Sequence, residues 1–369
     1  MRLTAVELHR VALPLVAPFR TSYGVEHAKE ALLVHVRTDA GADGWGECVT
    51  SPEPRYSPEY IAGAAHVLRH HLVGPVAALA ELRADAVGPA LAHVVGHRMA
   101  KAALETAVLD AELRAAGTSL ARHLGAVRDT VPAGVSVGIM DSVPALLDAV
   151  AGYLEQGYVR IKLKIEPGWD VQPVRAVRER FGDVALQVDA NTAYSPADTR
   201  VLAALDAFEL LLVEQPLAAD DLLGHAALAR VLRTPVCLDE SVTSARAAAA
   251  AIRLGACGVV NIKPGRVGGF LEARRIHDVC AAHGVPVWCG GMLETGIGRA
   301  ANLALAALPN CTLPGDTSAS DRYFATDLTV PHVLCDGHLA VPAGPGVGIE
   351  PLPEVLAAHT IGRENLPLR

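Results

Sequence analysis

The chain has 369 residues, 51% hydrophobic and 20% charged. That is too apolar for a disordered chain, and long enough for two domains or one large domain with an addition. Lys and Arg number 32 against 40 Asp and Glu, a net charge of −8, which excludes a general polyanion binder, because nucleic acid affinity rests on a basic surface.

No uncharged apolar run is long enough to span a bilayer, so no membrane helix is expected. The opening MRLTAVELHR carries Arg2, Glu7 and Arg10 where a secretory leader needs an apolar stretch. Seven cysteines without a CxxC read as reduced thiols, which points to the cytoplasm. Leu3–Leu15 and Ala31–Arg37 tend to alternate apolar and polar residues, as half-buried strands do. Thr38–Gly44 reads as a turn, Trp45–Thr50 as a returning strand, and a helix is expected from about His97 to Ala116. Residues 1–125 are therefore expected to form an α+β domain.

From position 134 onward, β-rich runs recur at a period of about 25 residues. They are Gly134–Met140, Val159–Ile165, Val184–Ala190, Leu210–Gln215, Pro235–Glu240, Gly258–Lys263, Pro286–Gly291 and Cys311–Asp316. Helical stretches with plausible caps lie between them. Asp141-Ser142 opens the first and Gly157 follows its end; Ser195-Pro196-Ala197-Asp198 opens the third, and Ser241, Gly269 and Thr295 stand near later starts. Eight strand–helix units predict a parallel α/β barrel of about 200–250 residues. A doubly wound sheet would prefer a GxGxxG after its first strand. Residues 126–320 are assigned to the barrel, and 321–369 exceed what its closure needs and are expected to pack back on the first domain.

Barrel chemistry sits at the C-terminal strand ends, and there the charges fall in phase. Lys164, Asp189, Glu214 and Asp239 follow one another at intervals of 25 residues, and Lys263 comes 24 later. Three carboxylates from adjacent strands should converge, which requires a cation. All-oxygen ligation suits Mg²⁺, with Mn²⁺ as substitute; no His stands at these strand ends to favour zinc. Period two puts Lys162 on the face of Lys164. Lys164 and Lys263, on the second and sixth strands, should face each other across the mouth, where one amine can remove a proton from a carbon and the other return it on the opposite side. Lys162 and Arg266 could supply the cations that lower a lysine pKa. For Arg266 a phosphate or solvent contact or an interface ion pair stands as the alternative.

These residues resemble the enolase superfamily, in its muconate-lactonizing subgroup, and within that the o-succinylbenzoate synthase / N-succinylamino acid racemase family. The likeness spans nearly the whole chain. It is carried by VAPFRTSYG at 16–24, GWGECVT at 44–50, GHRMAKAALETAVLDAEL at 96–113, VSVGIM at 135–140, YVRIKLKIEPGWDV at 158–171, QVDANTAY at 187–194, CLDES at 237–241, VNIKPGRVGG at 260–269 and WCGGMLETGIGRAAN at 288–302.

The resemblance implies a modified (β/α)₇β barrel with an N-terminal capping domain completed by the C-terminal segment, and a homo-oligomer. It implies that Asp189, Glu214 and Asp239 hold Mg²⁺, and that Lys162, Lys164 and Lys263 do the proton chemistry on a small carboxylate, either an N-succinyl- or N-acylamino acid or the cyclohexadiene precursor of o-succinylbenzoate. Loop 18–24, with Phe19 and Tyr23, would be a lid over the substrate. Ser136, Asn191 and the segment 290–294, with Gly291 and Met292, are expected around the substrate, and Arg266 close by. Asp316 and Asp321 are expected to be structural; for Glu294, within the segment expected around the substrate, capping a helix stands as the alternative. The seventh strand lacks the His of mandelate-racemase-like members, and Leu313–Ser318 lacks the Asp-x-Asp of dipeptide epimerases. Muconate cycloisomerase shares the lysine pair and stays open. A barrel serving only as a scaffold would be expected to have lost these ligands.

Overall fold

The computed structural model describes residues 1–368. An antiparallel sheet in the order β13-β1-β2-β3 comes first: β1 (Leu3–Thr21), β2 (Gly24–Thr38) and β3 (Asp43–Cys48) from the N-terminus, and β13 (Thr360–Leu366) from the other end of the chain. The alternation sets its two faces. Val6, Leu8, Val34 and Val36 point into the main core, whereas Val11, Leu13 and Leu33 point the other way into a smaller one with Ile297, Tyr323 and Phe324. The helix Arg98–Ala115 crosses β3 at close range. Gly44 and Gly46 permit this, since a Cβ on Gly46 would lie 2.0 Å from the Ala103 carbonyl oxygen.

The strand expected over Leu3–Leu15 runs six residues further, and β1 and β2 form one long hairpin. Residues 18–24 are thus the hairpin's end and not a loop, with Phe19 opposite Glu26 and Thr21 opposite Gly24. Pairing breaks between Pro14 and Phe19, where Val16 is exposed. The two prolines account for the break, since neither can donate to the ladder.

Seven parallel strands follow in sequential order: β5 (Gly134–Val137), β6 (Arg160–Lys164), β7 (Leu186–Asp189), β8 (Val213–Glu214), β9 (Val236–Leu238), β10 (Val259–Ile262) and β11 (Val287–Cys289). The eighth expected strand, Cys311–Asp316, is not a regular strand. It makes one parallel bridge to each sheet edge, Cys311 to Val287 and Gly315 to Ala133, and closes the sheet into a modified barrel. Pro314 accounts for the missing ladder, since it has no N–H to donate. Between these, β4 (Thr130–Pro132) pairs with β12 (His338–Ala340) beneath the barrel.

Helices start where the sequence places them at Ser142, Ser195, Gly269 and Thr295, and the start shifts in a fifth case. Ser142 accepts from the Ala145 N–H, Ser195 and Asp198 form a capping box, and the cap near 241 is Ser244, not Ser241. Aliphatic side chains do not fill the barrel alone: buried Arg160 lies 5.4 Å from the Trp288 ring and bonds Asp316 at 2.9 Å. No helix among the described residues is long and apolar enough to cross a membrane, and no cysteine is disulfide-bonded.

Candidate active site

Register builds the site. In the parallel ladder Lys164 pairs with Asp189, and Asp189 with Glu214. Glu214 pairs with Cys237, so Asp239, two residues on, shares its face one pleat higher. All three carboxylates have no exposed surface. A buried carboxylate requires compensation, and here it is cationic. Lys164 Nζ donates to Asp189 at 2.6 Å and Lys162 Nζ to Glu214 at 3.1 Å. Lys263 Nζ donates to Asp239 at 2.7 Å, and Arg266 ion-pairs with the same carboxylate.

Crowding shows in the charge states. Asp189 is held below the usual carboxylate range: burial opposes this, and Lys164 and Lys162 outweigh it. Glu214 is pushed up, by burial first and then by Asp189. Next to it Glu240 rises to about 7, mainly by burial, and its Oε2 has no hydrogen-bond partner. Like charges from three strands, offering only oxygen donors, are the chemistry of a hard dication.

The lysines differ. Lys164 also donates to Asn191 Oδ1 at 2.5 Å, and its pKa is lowered: burial lowers it most, Asp189 opposes, and Lys162 adds to the lowering. Lys263 is raised. Burial would lower it too, but Tyr56 and the carboxylates of Glu240, Glu214 and Asp189 prevail. Lys162 is likewise raised, since Asp316, Glu214 and Asp189 outweigh its burial.

One cleft of about 680 Å³ including its mouth is lined by Phe19, Tyr23, Ser136, Lys162, Lys164, Asn191, Lys263, Gly291 and Met292. Arg266 does not line it. Its Nε donates to the Val242 carbonyl and its guanidinium lies on Asp239, behind the carboxylate. The expectation that it contacts substrate is replaced by a place one layer back. The hairpin end closes one side, held to the barrel by the Ile139 N–H on the Arg20 carbonyl at 2.9 Å.

Two residues at the site, Asp316 and Tyr56, escaped the sequence reading. Asp316, expected to be structural, lines the cleft and accepts from Lys162 at 2.5 Å. Glu294, in the segment expected around the substrate, lines the cleft and caps no helix, accepting from the Met292 N–H and from Asn302 Nδ2. The start of the next helix is served instead by Glu47 of β3, which accepts from Thr295 and Gly298. Tyr56 donates to Asp239 at 3.3 Å, and its hydroxyl oxygen lies 3.2 Å from Lys263 Nζ. Residues 51–60 are irregular, so no periodicity could have pointed to Tyr56. For Asp316 the signal was its place at the end of the closing segment, level with the other strand ends.

Residues 4–125 match the family described as mandelate racemase / muconate lactonizing enzyme, N-terminal domain, and residues 145–355 match enolase C-terminal domain-like proteins. The chain is 68% identical over 364 residues to an N-succinylamino acid racemase of Amycolatopsis sp, covering 98% of this chain and 99% of that one. It is 48% identical to an o-succinylbenzoate synthase of Geobacillus kaustophilus, covering 94% and 92%. An enolase-superfamily protein of Listeria innocua superposes with a TM-score of 0.96 at 38% identity, covering both chains fully.

Proposed function

Because the chain belongs to the mandelate racemase / muconate lactonizing enzyme group of the enolase superfamily, we propose that it racemises N-succinyl- and related N-acylamino acids and also forms o-succinylbenzoate by syn dehydration. The reading rests on the names of its relatives and on one observation: Lys164 and Lys263 line a single cleft from strands β6 and β10, with three carboxylates buried beneath it.

In this reading Asp189, Glu214 and Asp239 hold Mg²⁺, with Mn²⁺ as substitute. When bound, the ion supplies positive charge where the substrate carboxylate gains negative charge on losing its α-proton. Lys162, held in place by Asp316 and Glu214, adds a second fixed positive charge there. For racemisation, one of Lys164 and Lys263 takes the α-proton as a neutral amine and the other, as an ammonium, returns a proton to the opposite face of the enediolate. For dehydration, Lys164 takes the proton and gives it to the departing hydroxyl on the same face. Asn191 positions the Lys164 amine, and Arg266 and Tyr56 position Lys263 through Asp239. Ser136, Gly291, Met292, Phe19 and Tyr23 shape the space for the acyl group and side chain. The division of the chain at 125 and 320, a cytoplasmic location and assembly as a homo-oligomer belong to the same proposal.

Exchange in D₂O tests the two-base arrangement. Wild type should introduce deuterium at the α-carbon of both enantiomers. Lys263→Ala should lose racemisation and exchange only the enantiomer facing Lys164. Lys164→Ala should do the reverse and also lose o-succinylbenzoate formation. Each loss should be on the order of 10²–10⁴-fold or greater. Exchange of both enantiomers by both variants would point to a single mobile base or to solvent, and the proposal would fail.

A further inference from the structure

The outer face of the N-terminal sheet carries a second polar cluster that the proposed chemistry does not use. Glu7 and His9 stand two residues apart on β1 and so share a face; His35 is the direct cross-strand partner of Glu7 on β2, and Trp45 is that of His35 on β3. A nitrogen of each imidazole and a Glu7 oxygen lie within 4.8 Å of one another, and all three residues are buried. They line an open pocket of about 1250 Å³ including its mouth, between the sheet and the C-terminal segment, with Asp43 at its rim.

Two observations say that this is more than packing. His9 Nε2, in a residue only 6% exposed, has no hydrogen-bond partner, although Glu7 Oε2 lies 3.3 Å away. A buried nitrogen left without a partner is unusual in a folded protein. The His35 ring is clamped flat on Trp45, centroids 4.0 Å apart and planes 5° from parallel, with its Nε2 3.1 Å from Asp43. An imidazole held in orientation by its surroundings is how proteins prepare a ligand.

We propose that Glu7, His9 and His35 form a binding site for a transition-metal dication of the Zn²⁺ class, separate from the barrel mouth. Two imidazole nitrogens with a carboxylate select such an ion over Mg²⁺. Tetrahedral Zn²⁺ with bonds of about 2.1 Å needs donors about 3.4 Å apart, so side-chain rotation of about an ångström completes the site. Arg37 and Arg363 also reach Glu7, at 3.2 and 2.6 Å. Their side chains are 47% and 57% exposed against 5% for Glu7, so they can turn into water while Glu7 stays. Burial lowers the pKa of both His9 and His35, which favours the neutral imidazole that a metal needs.

The test titrates the full-length protein with Zn²⁺ under excess Mg²⁺ and counts bound metal, with Zn K-edge absorption reporting imidazole ligands. Wild type should bind one equivalent more than His9→Gln or His35→Gln, with imidazole scattering, and both variants should keep wild-type activity with Mg²⁺. Because the two histidines lie on different strands, failure of one variant to fold leaves the other to give the count. Exposed His66, His70 and His71 sit close together on one helical stretch, so His70→Gln/His71→Gln is the control. No extra equivalent in wild type overturns the proposal. So does an equivalent that survives both His9→Gln and His35→Gln, or one that disappears in the control.

Discussion

Lys164 and Lys263 are one residue type in opposed surroundings. On the β6 wall, Lys164 is buried beside a second ammonium, Lys162, and its proton is loosened. On the β10 wall, Lys263 stands between the Asp239 carboxylate and the Tyr56 ring, 4.7 Å from its centroid, and its proton is held. A two-base racemase needs one amine neutral and the other charged at the start of each turnover. The difference between the walls biases the two amines in opposite senses, Lys164 toward base and Lys263 toward acid.

The largest effect should fall on both walls alike. EDTA-treated protein is expected to lose exchange of both enantiomers and regain it with Mg²⁺ or Mn²⁺, because in the proposed mechanism one ion held by Asp189, Glu214 and Asp239 serves both directions. Full activity in a rigorously metal-free sample would sink the assignment of the three carboxylates. Lys162→Met should come next, slowing both directions on the order of 10²–10³-fold through loss of a fixed charge. A loss confined to one enantiomer would mean that Lys162 acts only through Lys164.

Arg266→Gln should break the symmetry. Arg266 reaches the chemistry only through Asp239 and Lys263, so racemisation should fall more than dehydration, which can use Lys164 for both proton steps. A residue behind a metal ligand typically contributes on the order of 10–100-fold; equal losses in the two reactions would contradict the placement. The smallest effect is a displacement in pH. A base works when neutral, so each direction speeds up as pH rises toward the pKa of its base. The direction started by Lys164, whose pKa is lowered, should level off at lower pH than the one started by Lys263, whose pKa is raised. Coincident profiles for kcat/KM of the two enantiomers would show that bound metal erases the asymmetry.

The walls also differ in how far the sequence exposed them. Lys164, Asp189, Glu214 and Lys263 were legible because parallel strands repeat one geometry, and a residue at the same place in each unit lands on the same rim. The fold was legible for the same reason. Tyr56 was not, because it reaches Asp239 from an irregular stretch with no period to betray it. Asp316 stands 53 residues after Lys263, out of step with the 25-residue period, so the phase that places the other charges does not carry it to the rim. The hairpin end is not legible as strand because Pro14 to Pro18 interrupts the alternation, and the pairing that resumes at Phe19 is set by its partner Glu26 just across the turn on β2.

The ladder that puts Lys164 beside Asp189 and Asp189 beside Glu214 has a consequence for how such a chain tolerates change in length. Partners are fixed by strand register and not by the number of residues in the crossovers. The step of 24 before Lys263, against 25 elsewhere, still delivers that lysine to the cleft. Insertions and deletions in the outer helices and their turns should therefore leave the chemistry intact. A single residue gained within β6 or β7 would turn every later side chain of that strand to the other face, moving a lysine or a carboxylate out of the cleft while barely altering the chain's length.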